Sequence, residues 1–109
     1  MDLYHNNKLI VKNIKLANNY ISKLQGLLKC KFADDCFIYI PDCNMIHTFF
    51  MRFTIDIVML DNKRKVIYLK RKLKPFKITG CLKAKDTIEL KEDSIDEFDI
   101  KIGDFITLK

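Results

Sequence analysis

At 109 residues, with 49% hydrophobic and 31% charged side chains, the chain is long enough to bury roughly two-thirds of the surface its unfolded form exposes and to build one modest core without staples. That balance excludes a disordered chain, and no apolar stretch approaches the roughly 20 residues a bilayer helix needs. The net charge of +6 is uneven: residues 1–85 hold 17 basic and 6 acidic side chains, residues 86–109 hold 3 and 8.

The opening MDLYHNNKLIVKN lacks the basic and apolar regions of a signal peptide, so a cytoplasmic location is expected. LIVKNIKL (9–16) is rich in branched apolar residues and reads as the first strand. In the segment that follows, Ile21, Leu24, Leu27 and Leu28 recur at helical spacing behind a capping asparagine at 18 or 19. They predict a short amphipathic helix in which Gly26 lowers propensity and so has a packing reason to be there. CFIYI (36–40) reads as a buried strand closed by a PDCN turn. IHTFFMRFTIDIVML (46–60) reads as one strand, or as two with a bend between Met51 and Thr54, and DNKRK after it as a polar hairpin turn. KVIYLKRKL returns as a longer strand, and Pro75 and Gly80 mark KPFKITG as a loop or edge segment. DTIELK is a strand, and DSIDEF has Ser94 and Glu97 at capping-box spacing, which predicts one helical turn. Gly103 and Asp104 turn the chain into a final strand. Six to eight short strands with one short helix predict a mainly β fold, a compact β-sandwich or partly closed barrel, with residues 1–109 as a single domain.

His47, Arg52 and Asp56 stand in an otherwise apolar run and are costly to bury. In one continuous strand Thr48, Arg52 and Asp56 would share a face, with His47, Met51 and Ile55 opposite; a bulge would reverse the parity and bring the imidazole to the carboxylate. On the structural reading, Asp56 pairs with Arg52 or accepts from neighbouring backbone amides. On the functional reading, His47, Arg52 and Asp56 surround a pocket in which the imidazole exchanges protons and the guanidinium holds an anion. Phe49, Phe50, Met51 and Phe53 then pack the core or line the pocket.

Cys30, Cys36, Cys43 and Cys81 form no CxxC pair, and free thiols are expected. Cys36, Cys43 and His47 are a conceivable metal set, but zinc prefers four ligands at tighter spacing, so neither a metal nor another cofactor is expected. The basic run at 62–77 could attract phosphate or an anionic surface, but the acidic tail could equally fold across it. No nucleic-acid motif accompanies the charge, so nucleic acid is not expected as a partner; nor is a membrane, and the chain is expected to be a monomer.

CNMIHTFFMRFTIDIVMLD (43–61) resembles the signature of domain of unknown function 192, also called uncharacterised protein family 0127. LQGLLK (24–29), KPFKI (74–78), AKDTIEL (84–90) and IKIGDFI (100–106) resemble its other segments in the same order, so the likeness runs through nearly the whole chain. The resemblance implies a compact, jelly-roll-like β-sandwich with a short helix, and it implies no activity. His47, Thr48, Phe50, Met51, Asp56, Glu89, Gly103 and Asp104 match the family pattern. Leu28 stands where methionine is usual, Thr54 where proline is often found and Phe76 where tryptophan is frequent. Arg64 and Asp93 fall where glycine is common, which predicts strained turns.

Three readings follow. The first is a non-enzymatic binding or accessory module for a small anionic or polar ligand or a protein segment, along residues 46–60; its candidate residues are His47, Thr48, Phe50, Met51, Arg52, Asp56 and Glu89. The second is a hydrolase-like or acid/base enzyme in which Asp56 or Glu89 orients His47 and Cys43 is a thiol neighbour. The third is an electrostatic binder of nucleic acid or anionic surfaces through residues 63–77.

Overall fold

A computed structural model describes residues 1–17, 37–48 and 53–109. The predicted helix after Ala17 lies outside the described residues, as do Cys30, Cys36, Phe49, Phe50, Met51 and Arg52. In chain order the described strands are β1 (Leu3–His5), β2 (Lys8–Val11), β3 (Lys15–Leu16), β4 (Ile38–Ile40), β5 (Met45–His47), β6 (Ile55–Leu60), β7 (Val66–Leu73), β8 (Ile78–Gly80), β9 (Asp86–Lys91) and β10 (Ile106–Leu108), with one helical turn, α1 (Ser94–Glu97), after β9.

The strands form a five-stranded sheet ordered β3-β4-β9-β6-β7, a three-stranded sheet β10-β1-β2 and a two-stranded sheet β5-β8. All pairings are antiparallel except that of β3 with β4. β6 and β9 lie at the centre and are buried on both faces, which is why IDIVML and DTIELK lack a clean polar alternation. Val58, Leu60, Ile88, Leu90 and Tyr39 face one way, onto Leu3, Ile14, Ile95, Ile100 and Ile106. Ile55, Ile57, Met59, Ile38 and Ile40 face the other, onto Ile46, Leu73 and Ala17. The central sheet therefore separates two cores, with the three-stranded sheet and α1 on one side and the two-stranded sheet on the other. The fold is mainly β, as predicted, and its sheets are open rather than closed into a barrel.

LIVKNIKL does not form one strand. It divides into β2 and β3 at Lys12–Asn13, where Asn13 adopts a left-handed φ of 52°. β1, which precedes it, was hidden in LYH; Asn6 and Asn7, at φ 47° and 69°, make the two-residue turn whose twist suits an antiparallel hairpin. Ten strands stand among the described residues, against the six to eight expected. The run at 46–60 is two strands in different sheets, so the parity of a single strand does not apply.

The expected capping box is absent. Ser94 is the first helical residue, and Asp93, at the cap position, makes no side-chain bond to the turn. Arg64 and Asp93 hold left-handed φ values of 66° and 72°, the conformation that a glycine supplies without a Cβ penalty. Asp93 lies 3.7 Å from Lys72 Nζ, but both side chains are more than half exposed, so the pair adds little. Asp93→Gly is therefore expected to raise stability by about 0.5–1 kcal/mol, the relief of αL strain exceeding the added chain entropy of glycine. A urea midpoint unchanged or lowered in this variant would show that the turn is unstrained.

Part of the charge asymmetry cancels in space. The acidic turn α1 meets the basic strand β7, with Arg71 Nε 2.9 Å from Asp96 Oδ1.

Candidate functional site

Asp56 is positioned by a bulge. Ile55 stands opposite Leu73 and Ile57 opposite Lys70, so Arg71 and Lys72 of β7 face Asp56 alone. Lys72 takes a φ of 53°, and its N–H donates to Asp56 Oδ1 at 3.0 Å. Ile95 N–H, in the first turn of α1, donates to Asp56 Oδ2 at 3.0 Å. The carboxylate is fully buried and acts as an acceptor for backbone amides of two separate elements, replacing the cap that Asp93 does not provide.

Glu89 is equally buried but faces the other way. It lies between Ile88 and Leu90, which belong to the core beneath the three-stranded sheet, and stands opposite Ile38 and Ile57, which belong to the other core. Asp56, between Ile55 and Ile57, faces the side opposite to Glu89. The layer carrying His47 is on the Glu89 side, since its neighbour Ile46 packs with Ile38, Ile40, Ile55 and Ile57. His47, Asp56 and Glu89 thus share no common face. An acid/base pair of His47 with Asp56 is overturned, because the five-stranded sheet stands between them.

Thr48 is fully buried and clamps the KPFK segment. Its hydroxyl donates to the Lys74 carbonyl at 2.6 Å and accepts from Lys77 N–H at 2.9 Å. Its backbone N–H donates to the Lys77 carbonyl and its carbonyl accepts from Phe76 N–H. These four bonds hold Phe76 at a φ of 63°, an unusual conformation for a bulky residue, with 73% of its surface exposed.

From this turn β8 runs antiparallel to β5, pairing Met45 with Gly80, Ile46 with Thr79 and His47 with Ile78. Ile46 and Thr79 point inward, and the Thr79 hydroxyl meets the Tyr68 hydroxyl of β7. The alternation turns Met45, His47, Ile78 and Gly80 outward. A Cβ on Gly80 would lie 2.8 Å from the Asn44 carbonyl oxygen, so glycine permits the close approach of the two strands here. Met45, Ile78 and Leu82 are 59%, 62% and 87% exposed; Met45 and Ile78 share the outer side of the β5-β8 pair, with Phe76 and Leu82 exposed in the turns at either end of β8. Lys74, Lys77 and Lys83 lie exposed in the segments that flank β8.

The other polar groups are engaged elsewhere. Cys43 donates its thiol to the Met45 carbonyl at 3.2 Å and borders a hollow of about 340 Å³ with Asp42, Asn44, Ala84 and Lys85. Lys85 Nζ is 2.8 Å from Asp42 Oδ1. Among the described residues no three His, Cys, Asp or Glu side chains gather as a metal site. Tyr39 donates to the buried Asp86, and burial followed by that carboxylate pushes the phenol well above its ordinary range. Sequence reasoning missed His5. Its Nε2 lies 2.7 Å from Asp104 Oδ2, which also accepts from Lys101 N–H, tying β1 to the turn before β10. The His5 hydrogen bond is the main cause that holds the Asp104 carboxyl below the ordinary carboxylate range. Among the described residues no helix is long and apolar enough to cross a membrane.

The comparisons agree on family and fold. The profile of the family DUF192, described as "Uncharacterized ACR", matches residues 3–108. A UPF0127 protein of Thermococcus sibiricus is 30% identical over 105 residues, covering 91% of this chain and 68% of its own length. One from Thermococcus kodakarensis is 27% identical over 99 residues, covering 86% and 63%. The chain thus spans about two-thirds of the length of these curated relatives. A protein of unknown function from Novosphingobium aromaticivorans superposes with a TM-score of 0.82 at 15% identity, over 99% of this chain and 84% of that one. A putative transcription regulator from Sinorhizobium meliloti does so with a TM-score of 0.74 at 15% identity, over 86% and 79%. At such identities the likeness is one of fold. With the profile running from Leu3 to Leu108, the chain belongs to the DUF192 (UPF0127) family, whose members are described only as uncharacterised.

Proposed function

We propose that this protein is a non-enzymatic binding module that takes an amphiphilic, anionic ligand on the outer face of β5 and β8. One observation carries the reading: Met45, Phe76, Ile78 and Leu82 are exposed on a face that a self-sufficient sandwich gives to polar residues. The strained φ of Phe76 supports it, because an aromatic held in solvent by four bonds to one buried threonine is displayed rather than stored. His47 sits across from Ile78, half-buried at the base of this face. Lys74, Lys77 and Lys83 favour a ligand of negative charge. The face uses the start of the 46–60 segment together with residues 76–82, rather than β6, which is buried throughout.

Titration with octanoate or anilinonaphthalene sulfonate, followed by NMR, tests the reading. Shifts are expected at Met45, His47, Phe76, Ile78 and Leu82, and to weaken at least fivefold in Ile78→Ser with the melting temperature kept. Shifts confined to the hollow lined by Asn6, Asn7, Phe105 and Thr107 would place binding elsewhere and sink the proposal.

A further inference from the structure

We infer that the ligand is presented to this face as an anionic lipid bilayer, onto which the protein docks peripherally; the inference rests on the reading of β5 and β8 as the binding face. Shape is the first argument. Phe76 and Leu82 lie in the turns at either end of β8, at 73% and 87% exposure, with Ile78 between them. β8 itself covers about 10 Å, with a turn at each end. Side chains that stand out singly along such a strip do not enclose a small molecule. A fluid interface conforms to them and takes each one into the boundary between headgroups and acyl chains.

Charge is the second argument. Lys74, Lys77 and Lys83 are exposed in the segments that flank β8, and lysine stems can lie along an apolar boundary while the ammonium groups meet lipid phosphates. Each such lysine is expected to raise partition into an anionic membrane about fivefold. The same charges disfavour a second copy of this chain, which would bring one lysine fringe against another. An acidic protein segment would satisfy the charge and could pair with the outer edge of β8, which no described strand covers, but such edge pairing runs in the plane of the sheet and leaves its outer face uncovered.

The chain contains no tryptophan, so Phe76→Trp places a single fluorophore at the proposed contact. The full chain would be mixed with vesicles of phosphatidylglycerol and phosphatidylcholine, and separately with phosphatidylcholine alone. The inference expects a blue-shifted emission and cosedimentation with the anionic vesicles only, weakening as salt rises. Leu82→Ser and Phe76→Gly should each lower the partition constant at least tenfold. Phe76→Gly suits the left-handed φ of the turn, so its effect does not come from a damaged fold. Equal binding to both vesicle types would overturn the inference, as would binding to anionic vesicles that ignores Leu82→Ser and Phe76→Gly. If vesicles fail while octanoate still shifts the face, the bilayer is wrong and the binding reading stands; if neither binds, both fall. Binding of poly-glutamate in preference to vesicles, lost in Leu82→Ser, would assign the face to an acidic protein partner instead.

Discussion

Asp56→Ala is expected to lower the stability of the fold by about 3–5 kcal/mol, because it empties a fully buried site and orphans two backbone donors, one buried and one partly buried. The Lys72 and Ile95 amides would lose their acceptor at once, one in a β-bulge and one in the first turn of α1. For a domain of about this size a loss of that order lowers the melting temperature by roughly 12–25 °C. Asp56→Asn should fall between wild type and alanine, since its amide carbonyl can serve one donor while its NH₂ group faces the other. Urea unfolding of the three proteins is the direct check. A midpoint for Asp56→Ala that corresponds to less than about 1 kcal/mol of loss would mean that the strut is dispensable. The same experiment separates structural from functional roles for this residue, because on the present geometry its loss acts on the whole fold and not on a ligand.

Thr48→Val is expected to cost about 2–3 kcal/mol although it preserves shape, since Lys74 loses a donor and Lys77 N–H loses an acceptor. The effect should also be local. Amides of Lys74, Phe76 and Lys77 should exchange with solvent faster than those of β9, because the turn loses two of the four bonds that pin it. Thr48→Ser keeps the hydroxyl and should recover most of the lost stability. If binding on the outer face depends on the posture of Phe76, Thr48→Val should weaken octanoate binding even where the protein remains folded. Equal exchange at Lys74, Phe76 and Lys77 in valine and wild type would show that the backbone bonds alone hold the turn.

Much of the architecture could be read along the chain. DTIELK matches β9 residue for residue, and KVIYLKRKL and KIGDFITLK contain β7 and β10. These segments were legible because the signals are local: branched apolar runs, bounded by residues such as Asp61 and Gly103 that favour turns. Asp61 accepts from Lys63 and Lys65 N–H within its own hairpin, so that turn needs nothing beyond its neighbours in sequence. The strained turns at Arg64 and Asp93 were legible as well, through the resemblance that places glycine at both positions. β1 was not, because three residues carry too little pattern to stand out without the strands on either side of it.

The candidate site was legible as a set of residue types and not as an arrangement. Residue order alone determined that Asp56 stands in an otherwise apolar run and must find partners there, since a carboxylate is too costly to bury otherwise. Tertiary structure alone decided who those partners are for Asp56, because its two donors lie 16 and 39 residues away, on a bulge and on a helical turn. It likewise decided that Asp56 and Glu89 look out from opposite faces of one sheet, which depends on strand order and register rather than on spacing. Phe76, Ile78 and Leu82 make the same point from the surface: as letters they are core residues, and only the layering of three sheets determines which apolar side chains are covered and which are left to meet something else.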